Sequence, residues 1–170
     1  MKRFINTLIS ICLILASIFS LISCSPDSLV KYTENEITYY LPRYMEKREL
    51  PNIPFSFSNN EAEFVLIIWG KSELALNWYL DEDFDIIALA DKFVYYNDYE
   101  TTYKHDTERG VITLSAFATE YVDSFEIDYF YNLIGLTDNY AYIVTLHCDE
   151  ELKDKYAPLF EEWASLITIG

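Results

Sequence analysis

Two stretches in the second half of the chain alternate apolar and polar residues with a period of two, and they narrow the choice of fold more than any other feature. Phe125, Ile127, Tyr129, Tyr131 and Leu133 share one face of the first, against Glu126, Asp128 and Asn132. Tyr140, Tyr142, Val144, Leu146 and Cys148 share one face of the second. Successive side chains of a strand point to opposite sides, so this spacing is that of strands with one face buried and one wet. Asp138-Asn139 between them marks a hairpin turn. Ile112, Leu114, Ala116 and Ala118 repeat the pattern upstream. Alternating strands joined by short turns predict an antiparallel sheet.

The remaining elements follow from local pattern. Glu36 to Leu41 is β-prone and stops at Pro42, and Arg43 to Leu50 is polar and mixed. Pro51 and Pro54 exclude a helix there. Phe55 and Phe57 alternate with Ser56 and Ser58, a short strand, and Asn59-Asn60 is a turn. Phe64 to Trp69 is apolar without interruption, the mark of a strand covered on both faces. Gly70-Lys71 then reads as a turn, and Leu74, Leu76, Trp78 and Leu80 on alternate positions predict a returning strand. From Asp81 the period changes. Phe84, Ile86, Ile87, Ala90, Phe93 and Val94 fall on one helical face, and Asp81, Asp85, Asp91 and Lys92 on the other. Acids crowd the start, where the helix dipole favours them, so a helix is expected over 82–96. At the end, Leu152, Tyr156, Leu159, Phe160, Trp163, Leu166 and Ile167 form a helical stripe. Pro158 costs about 3 kcal/mol inside a helix. The sequence therefore predicts a short turn near 150–156 and a fresh helix with Pro158 in its first turn.

The first residues are an address rather than part of the fold. Lys2 and Arg3 precede an apolar stretch from Phe4 to Ile22 that ends in Leu21-Ile22-Ser23-Cys24. A basic start before such a stretch has the form of a secretory signal, and its charge holds that end in the cytoplasm. The ending resembles the lipobox of bacterial lipoproteins. That resemblance implies cleavage before Cys24 and acyl chains on its sulfur and amino group. Two or more chains hold a protein stably, at about 0.8 kcal/mol per buried methylene. The alternative is an uncleaved membrane-spanning helix, for which the length just suffices. Either way the globular part lies outside the cytoplasm.

The expected organisation is a signal peptide over 1–23, a lipid-anchored tether over 24–35 and one domain over 36–170. Removing the leader takes Lys2 and Arg3 and no acid. The charge falls from −16 to −18, with 10 basic residues against 28 acidic ones over 147 residues. A domain of this size buries about 68–70% of its unfolded surface and needs no disulfides. Two of the three cysteines lie in the first 24 residues, which rules out a disulfide scaffold. An apolar content of 51% rules out a disordered chain. With no basic patch to neutralise phosphates, nucleic acid is not an expected partner. The acidic surface repels anionic headgroups, so the domain is expected to stand off the membrane.

One further resemblance rests on Tyr140-Ala141-Tyr142-Ile143-Val144-Thr145-Leu146, then Asp149-Glu150-Glu151, then Lys155-Tyr156-Ala157-Pro158-Leu159-Phe160-Glu161-Glu162-Trp163. Together with the order of elements, this resembles the end of PsbP-like domains, including the DcrB-like domains of small bacterial lipoproteins. It implies an α+β fold, an α-β-α sandwich around an antiparallel sheet flanked by helices. It implies no active-site residue, because that fold serves as an adaptor or assembly module in unrelated systems.

Candidate chemistry is thin. Asp81, Asp83 and Asp85 have EF-hand spacing, but Ile86 stands where the loop needs Gly and Lys92 where it needs Glu. They are expected to solvate a helix start. His147, Cys148 and Asp149 look like a metal set, yet on a strand His147 and Cys148 point apart. Cys148 is expected to be a buried small hydrophobe. His105 beside Asp106 lies near a turn at Glu108-Arg109-Gly110 and would have to reach Cys148 to build a nucleophile. No cofactor is expected. Tyr95, Tyr96, Tyr99 and Tyr103 cluster where the first helix ends, and 15 Tyr in all make this residue type unusual here. Tyr joins an apolar body to a polar tip, which suits a contact surface for a partner or ligand. The alternative is that these rings cover the sheet edge. The expectation is a non-catalytic, lipid-anchored accessory or binding protein of the bacterial cell envelope, meeting another envelope protein or a small ligand. The competing expectation is an envelope hydrolase using paired carboxylates.

Overall fold

The computed structural model describes residues 29–51, 53–118 and 127–170; Cys24, its leader and Phe125 lie outside them. The framework is a seven-stranded sheet, antiparallel throughout. It contains β3 (Glu46–Leu50), β4 (Ile53–Ser58), β5 (Ala62–Gly70), β6 (Tyr103–Asp106), β7 (Val111–Ala118), β8 (Asp128–Leu136) and β9 (Tyr140–Asp149), in the order β3-β4-β5-β9-β8-β7-β6. β8 and β9 pair from Asp128↔Asp149 to Leu136↔Ala141 around the Asp138-Asn139 turn, as the alternation requires. A second sheet has the order β1-β2-β10, with β1 (Leu29–Glu34), β2 (Ile37–Pro42) and β10 (Thr168–Ile169).

Each face of the large sheet has its own core. On one, Phe64, Leu66, Leu133, Tyr142, Val144, Leu146 and Cys148 pack under the small sheet and α3 (Lys153–Ser165), which contributes Tyr156, Phe160, Trp163 and Ala164. On the other, Ile112, Leu114, Ile134, Ala141 and Ile143 pack under α1 (Lys71–Trp78) and α2 (Ile86–Tyr96), through Leu74, Ala75, Leu89, Ala90 and Phe93. Burying one such large side chain contributes about 1.5–3 kcal/mol. The result is the α-β-α sandwich, an α+β fold with antiparallel sheets flanked by helices.

Several expectations need correction. The Leu74–Leu80 segment is helical over Lys71–Trp78, not a strand. Leu76 is 80% exposed while Leu74 and Ala75 are buried, so the alternation of apolar types did not mark a buried face. The segment contains no β-branched residue and is rich in Leu, Ala, Glu and Lys, which lose little freedom in a helix. The next helix begins at Ile86, not 82, because Asp85 caps it: its carboxylate accepts from the Ala88 N–H at 2.9 Å. The helix at the end starts at Lys153, which puts Pro158 in its interior. Pro158 is on the exposed side, where water can serve the carbonyl that its missing N–H leaves free.

The stretch read as a tether to residue 35 already contains β1, which pairs with β2 from Leu29↔Pro42 to Glu34↔Ile37. The polar stretch after Pro42 contains edge strand β3, exposed at all five positions. Such a strand shows no alternation to read, and its charges protect the edge from pairing with other chains. Asp128 and Asn132, expected on a wet face, are buried. The second core and its surroundings cover that face too.

Candidate functional site

The face of the sheet carrying α1 and α2 is not fully covered by them. A groove of about 490 Å³ remains, lined by Ile67, Trp69, Asn77, Trp78, Phe93, Tyr96, Asn97, Tyr99, Phe130, Ile143 and Thr145. Chain reversals bring these residues together. β5 delivers Ile67 and Trp69; the chain turns at Gly70 into α1 and returns Trp78 to Trp69, with ring centroids 5.7 Å apart and planes tilted by 59°. α1 ends at Tyr79 in the left-handed conformation, φ 52°. The end of α2 sets Tyr96 against Trp78 at 5.3 Å, again tilted by 59°. Asp98, also left-handed at φ 52°, turns the chain back, and the Tyr99 N–H donates to the Val94 carbonyl at 3.1 Å. Tyr99 thereby comes to lie 5.8 Å from Phe93 and 6.1 Å from Phe130.

The predicted tyrosine cluster is thus divided. Tyr96 and Tyr99 enter the groove. Tyr95 stands on its rim, 75% exposed and 5.6 Å from Tyr96. Tyr103 does other work: its hydroxyl donates to Asp91 Oδ1 at 2.9 Å and ties edge strand β6 to α2. That bond raises the Tyr103 pKa. Trp69, Trp78, Phe93 and Phe130 were not singled out from sequence. The available signal was that Trp69 and Trp78 lie close together in sequence, one just before the Gly70 turn and one at the end of the segment after it.

No residue of the groove lining carries a full charge near neutral pH. Thr145 Oγ1 donates to Asn132 Oδ1 at 2.8 Å, which uses its one proton, and Asn97 Nδ2 donates to the Phe93 carbonyl at 2.8 Å. Asn132 is fully buried beside Tyr99, and its Nδ2 closes no hydrogen bond of normal geometry. Burial raises the Tyr99 pKa, and the Asn132 amide partly offsets that effect.

A second hollow, about 350 Å³, is where acids converge: Glu61, Glu63, Asp128 and Asp149 border it with Arg48 and His147. Glu63 pairs with Arg48 and accepts from His147 Nε2 at 3.3 Å; Glu61 pairs with Lys155 and accepts from the Tyr156 hydroxyl at 2.7 Å. The bond from His147 holds the Glu63 carboxyl below the usual range, and those from Lys155 and Tyr156 do the same for Glu61. A carboxylate pair that cleaves glycosides needs one member pushed up to act as acid, and these two are pushed down. His147 stacks on Phe130 at 5.2 Å, while Cys148 lies in the opposite core with its thiol pushed up to about 11 by burial. His105 is on β6, separated from β9 by two strands or about 14 Å, so no Cys–His pair forms. Asp81, Asp83 and Asp85 are exposed around the α2 start, with Asp85 as its cap. Among the described residues, no group of three or more His, Cys, Asp or Glu is placed to hold a metal ion.

No family model and no curated protein sequence matches the chain. Its fold is similar to solved structures. One is cyanobacterial PsbP (CyanoP) from Synechocystis sp. PCC 6803, with a TM-score of 0.56 and 14% identity over 89% of this chain and 99% of that one. Another is the Saccharomyces cerevisiae Ran-binding protein Mog1p, with a TM-score of 0.50 and 9% identity over 83% of this chain and 95% of that one. At such identities the likeness shows a PsbP-like fold and leaves function to the residues.

Proposed function

We propose that the chain is a non-catalytic accessory or binding protein of the bacterial cell envelope, held to the membrane by acyl chains on Cys24, and that it meets its partner at the aromatic groove. The observation that carries this reading is the convergence of Trp69, Trp78, Phe93, Tyr96, Tyr99 and Phe130 around one open, uncharged volume. Small-molecule sites have this size and apolar character, and Trp and Tyr dominate binding energetics where they remain accessible. Tyr95 extends the surface at the rim. A PsbP-like fold supports a binding role by analogy, since one protein with a similar fold binds Ran.

The lipobox-like ending supports the anchor. Four residues separate Cys24 from β1, a reach of at most about 18 Å from the lipidated residue. That reach sets how far the near end of the domain can stand off the membrane, and its charge of −18 repels anionic headgroups within that limit. In the acidic hollow, Glu61 and Glu63 are both held below the usual carboxylate range, which does not favour either of them as the general acid of the competing envelope hydrolase.

Two measurements test the reading. Labelled palmitate should enter the native chain and not Cys24→Ala, which should leave the membrane fraction. A photocrosslinking residue at position 96 should capture one defined species in cells, while the same residue at exposed position 50 on edge strand β3 should not. Equal capture from both positions would remove the groove as the working surface. A Cys24→Ala chain that still labels and stays membrane-bound would remove the anchor.

A further inference from the structure

Resting on the reading of Cys24 as the lipid anchor, we infer that the corner of the domain around Tyr44 docks on the phospholipid headgroups of the anchoring membrane and turns the groove away from it. Strand register places this corner beside the anchor. Leu29, the first described residue, pairs with Pro42, and antiparallel partners lie about 5 Å apart. The chain then turns: the Met45 N–H donates to the Pro42 carbonyl at 3.0 Å, Met45 is buried, and Tyr44 is left 51% exposed. Tyr44 is thus within about 13 Å of Leu29, and Leu29 within about 18 Å of Cys24.

The layers exclude the opposite face. The small sheet that holds β1 packs on one side of the large sheet, and α1 and α2 pack on the other. Stacked sheets are about 10 Å apart, and a helix layer adds about 10–12 Å. The outer surface of α1 and α2 is therefore about 20 Å or more from β1, beyond the reach of the tether. The groove opens on that side, so it faces water and not this bilayer.

Charge selects headgroups as the occupant. Residues 29–50 hold four basic and four acidic residues, whereas 51–170 hold six against 23. Glu34 and Glu36 lie at the far end of the β1–β2 hairpin, which leaves Lys31, Arg43, Lys47 and Arg48 against Glu46 and Glu49 on the anchor side. The neighbouring carboxylates of Glu61 and Glu63 are matched by Lys155 and Arg48. Beside Tyr44 is a hollow of about 320 Å³, lined by Glu46, Lys47, Arg48, Ser58 and the Asn59-Asn60 turn. Ammonium, guanidinium and amide donors around such a volume suit a lipid phosphate, and a half-exposed Tyr among basic residues suits the headgroup level. Charges are screened over about 8 Å. The residues at the contact therefore set the attraction, while the acids elsewhere oppose every other orientation.

The test uses the chain purified from membranes and reconstituted into vesicles of phosphatidylcholine and phosphatidylglycerol that carry a headgroup nitroxide lipid. A fluorophore is placed on Asn60→Cys at the hollow or on Leu76→Cys, an 80% exposed position of α1. Acylated Cys24 and buried Cys148 do not compete for it. Quenching should be strong at 60 and weak at 76. Arg43→Glu with Lys47→Glu should lower the docked-to-free ratio read at 60 by about fivefold or more. Both side chains are exposed, so the thermal midpoint should hold; where it falls, Lys31→Glu carries the test. Inorganic phosphate at matched ionic strength should leave the quenching as it is. Equal quenching at 60 and 76 overturns the docking, and so does quenching at 60 that ignores the charge reversals. Displacement by inorganic phosphate also overturns it and assigns the hollow to a soluble ligand. Flotation with the vesicles is read in parallel. A chain that floats with equal quenching loses the docked corner alone, whereas one that does not float loses the anchor as well.

Discussion

The Tyr142 hydroxyl donates to the Asn35 carbonyl at 2.6 Å, across 107 residues of chain. It ties β9, at the middle of the large sheet, to the tip of the β1–β2 hairpin. Tyr142→Phe removes the donor and leaves a partly buried carbonyl unpaired. It should cost about 1 kcal/mol. The urea midpoint should fall with an unchanged slope, and amide exchange at Ile37 and Thr38 should quicken. An unchanged midpoint would show that this tie does not stabilise the fold.

Asn35 and Glu36 both have positive φ, 37° and 68°, as a two-residue hairpin turn of this hand requires. Asn tolerates that region, and Glu pays for its Cβ. Glu36→Gly should therefore stabilise the protein by about 0.5 kcal/mol, net of the entropy that glycine adds to the unfolded chain. The exposed contact from Asn139 Nδ2 at 3.4 Å is too weak to reverse the sign. Thermal unfolding is the check, and a lowered midpoint would contradict it.

Gly135 on β8 lies under Ile169 of β10. A Cβ there would sit 2.1 Å from Ile169 Cδ1 and 3.4 Å from its Cγ1. Gly135→Ala should push Ile169 aside, loosen the β10–β2 pairing and cost about 1–2 kcal/mol. Because the clash is with one side chain, Gly135→Ala with Ile169→Ala should cost less than the sum of the single changes. Simple additivity in that cycle would place the strain elsewhere.

The Glu63 carboxyl titrates below its ordinary value of 4.5, chiefly through the bond from His147, with burial opposing and the charges of His147 and Arg48 assisting. A depressed folded-state pKa contributes stability that is complete above the unfolded value and is lost as pH falls through the folded one. The urea midpoint should fall as the pH drops below about 4.5, and Glu63→Gln should flatten part of that fall. Solvent screening keeps the contribution below about 1 kcal/mol. An identical acid profile in the variant would refute it.

Cys148 is buried, with its thiol pushed up to about 11. At about pH 8 only about a thousandth of it is thiolate, and alkylation requires the thiolate. In a chain with Cys12 and Cys24 replaced by Ser, iodoacetamide should leave native Cys148 unmodified and label it in denaturant. Rapid native labelling, read by mass, would mean that this core opens.

Local pattern was enough wherever one face of an element is buried and one is wet. The β8–β9 hairpin, the register of Tyr140 to Cys148 and the amphipathic face of α2 all follow from that rule. The fold class follows too, because period-two runs with short turns leave few alternatives to an antiparallel sheet. Where both faces meet the same environment, the rule is silent. β3 is wet throughout, and Asp128 and Asn132 sit on a face that is buried as well.

By itself the sequence determined the strands that alternate, the helix with the strongest stripe, the separation of His147 from Cys148 onto opposite faces, and the net charge of −16. Only the tertiary structure decided that 71–78 is a helix, that a two-residue strand ending in Ile169 closes the small sheet over Gly135, and that Trp69, Trp78, Tyr96, Tyr99 and Phe130 share one groove. The reason is physical. Burial patterns along a chain record which side of an element is covered, whereas convergence depends on the reversals at Gly70, Tyr79 and Asp98, whose geometry is set by the packing of α1 and α2 on the sheet.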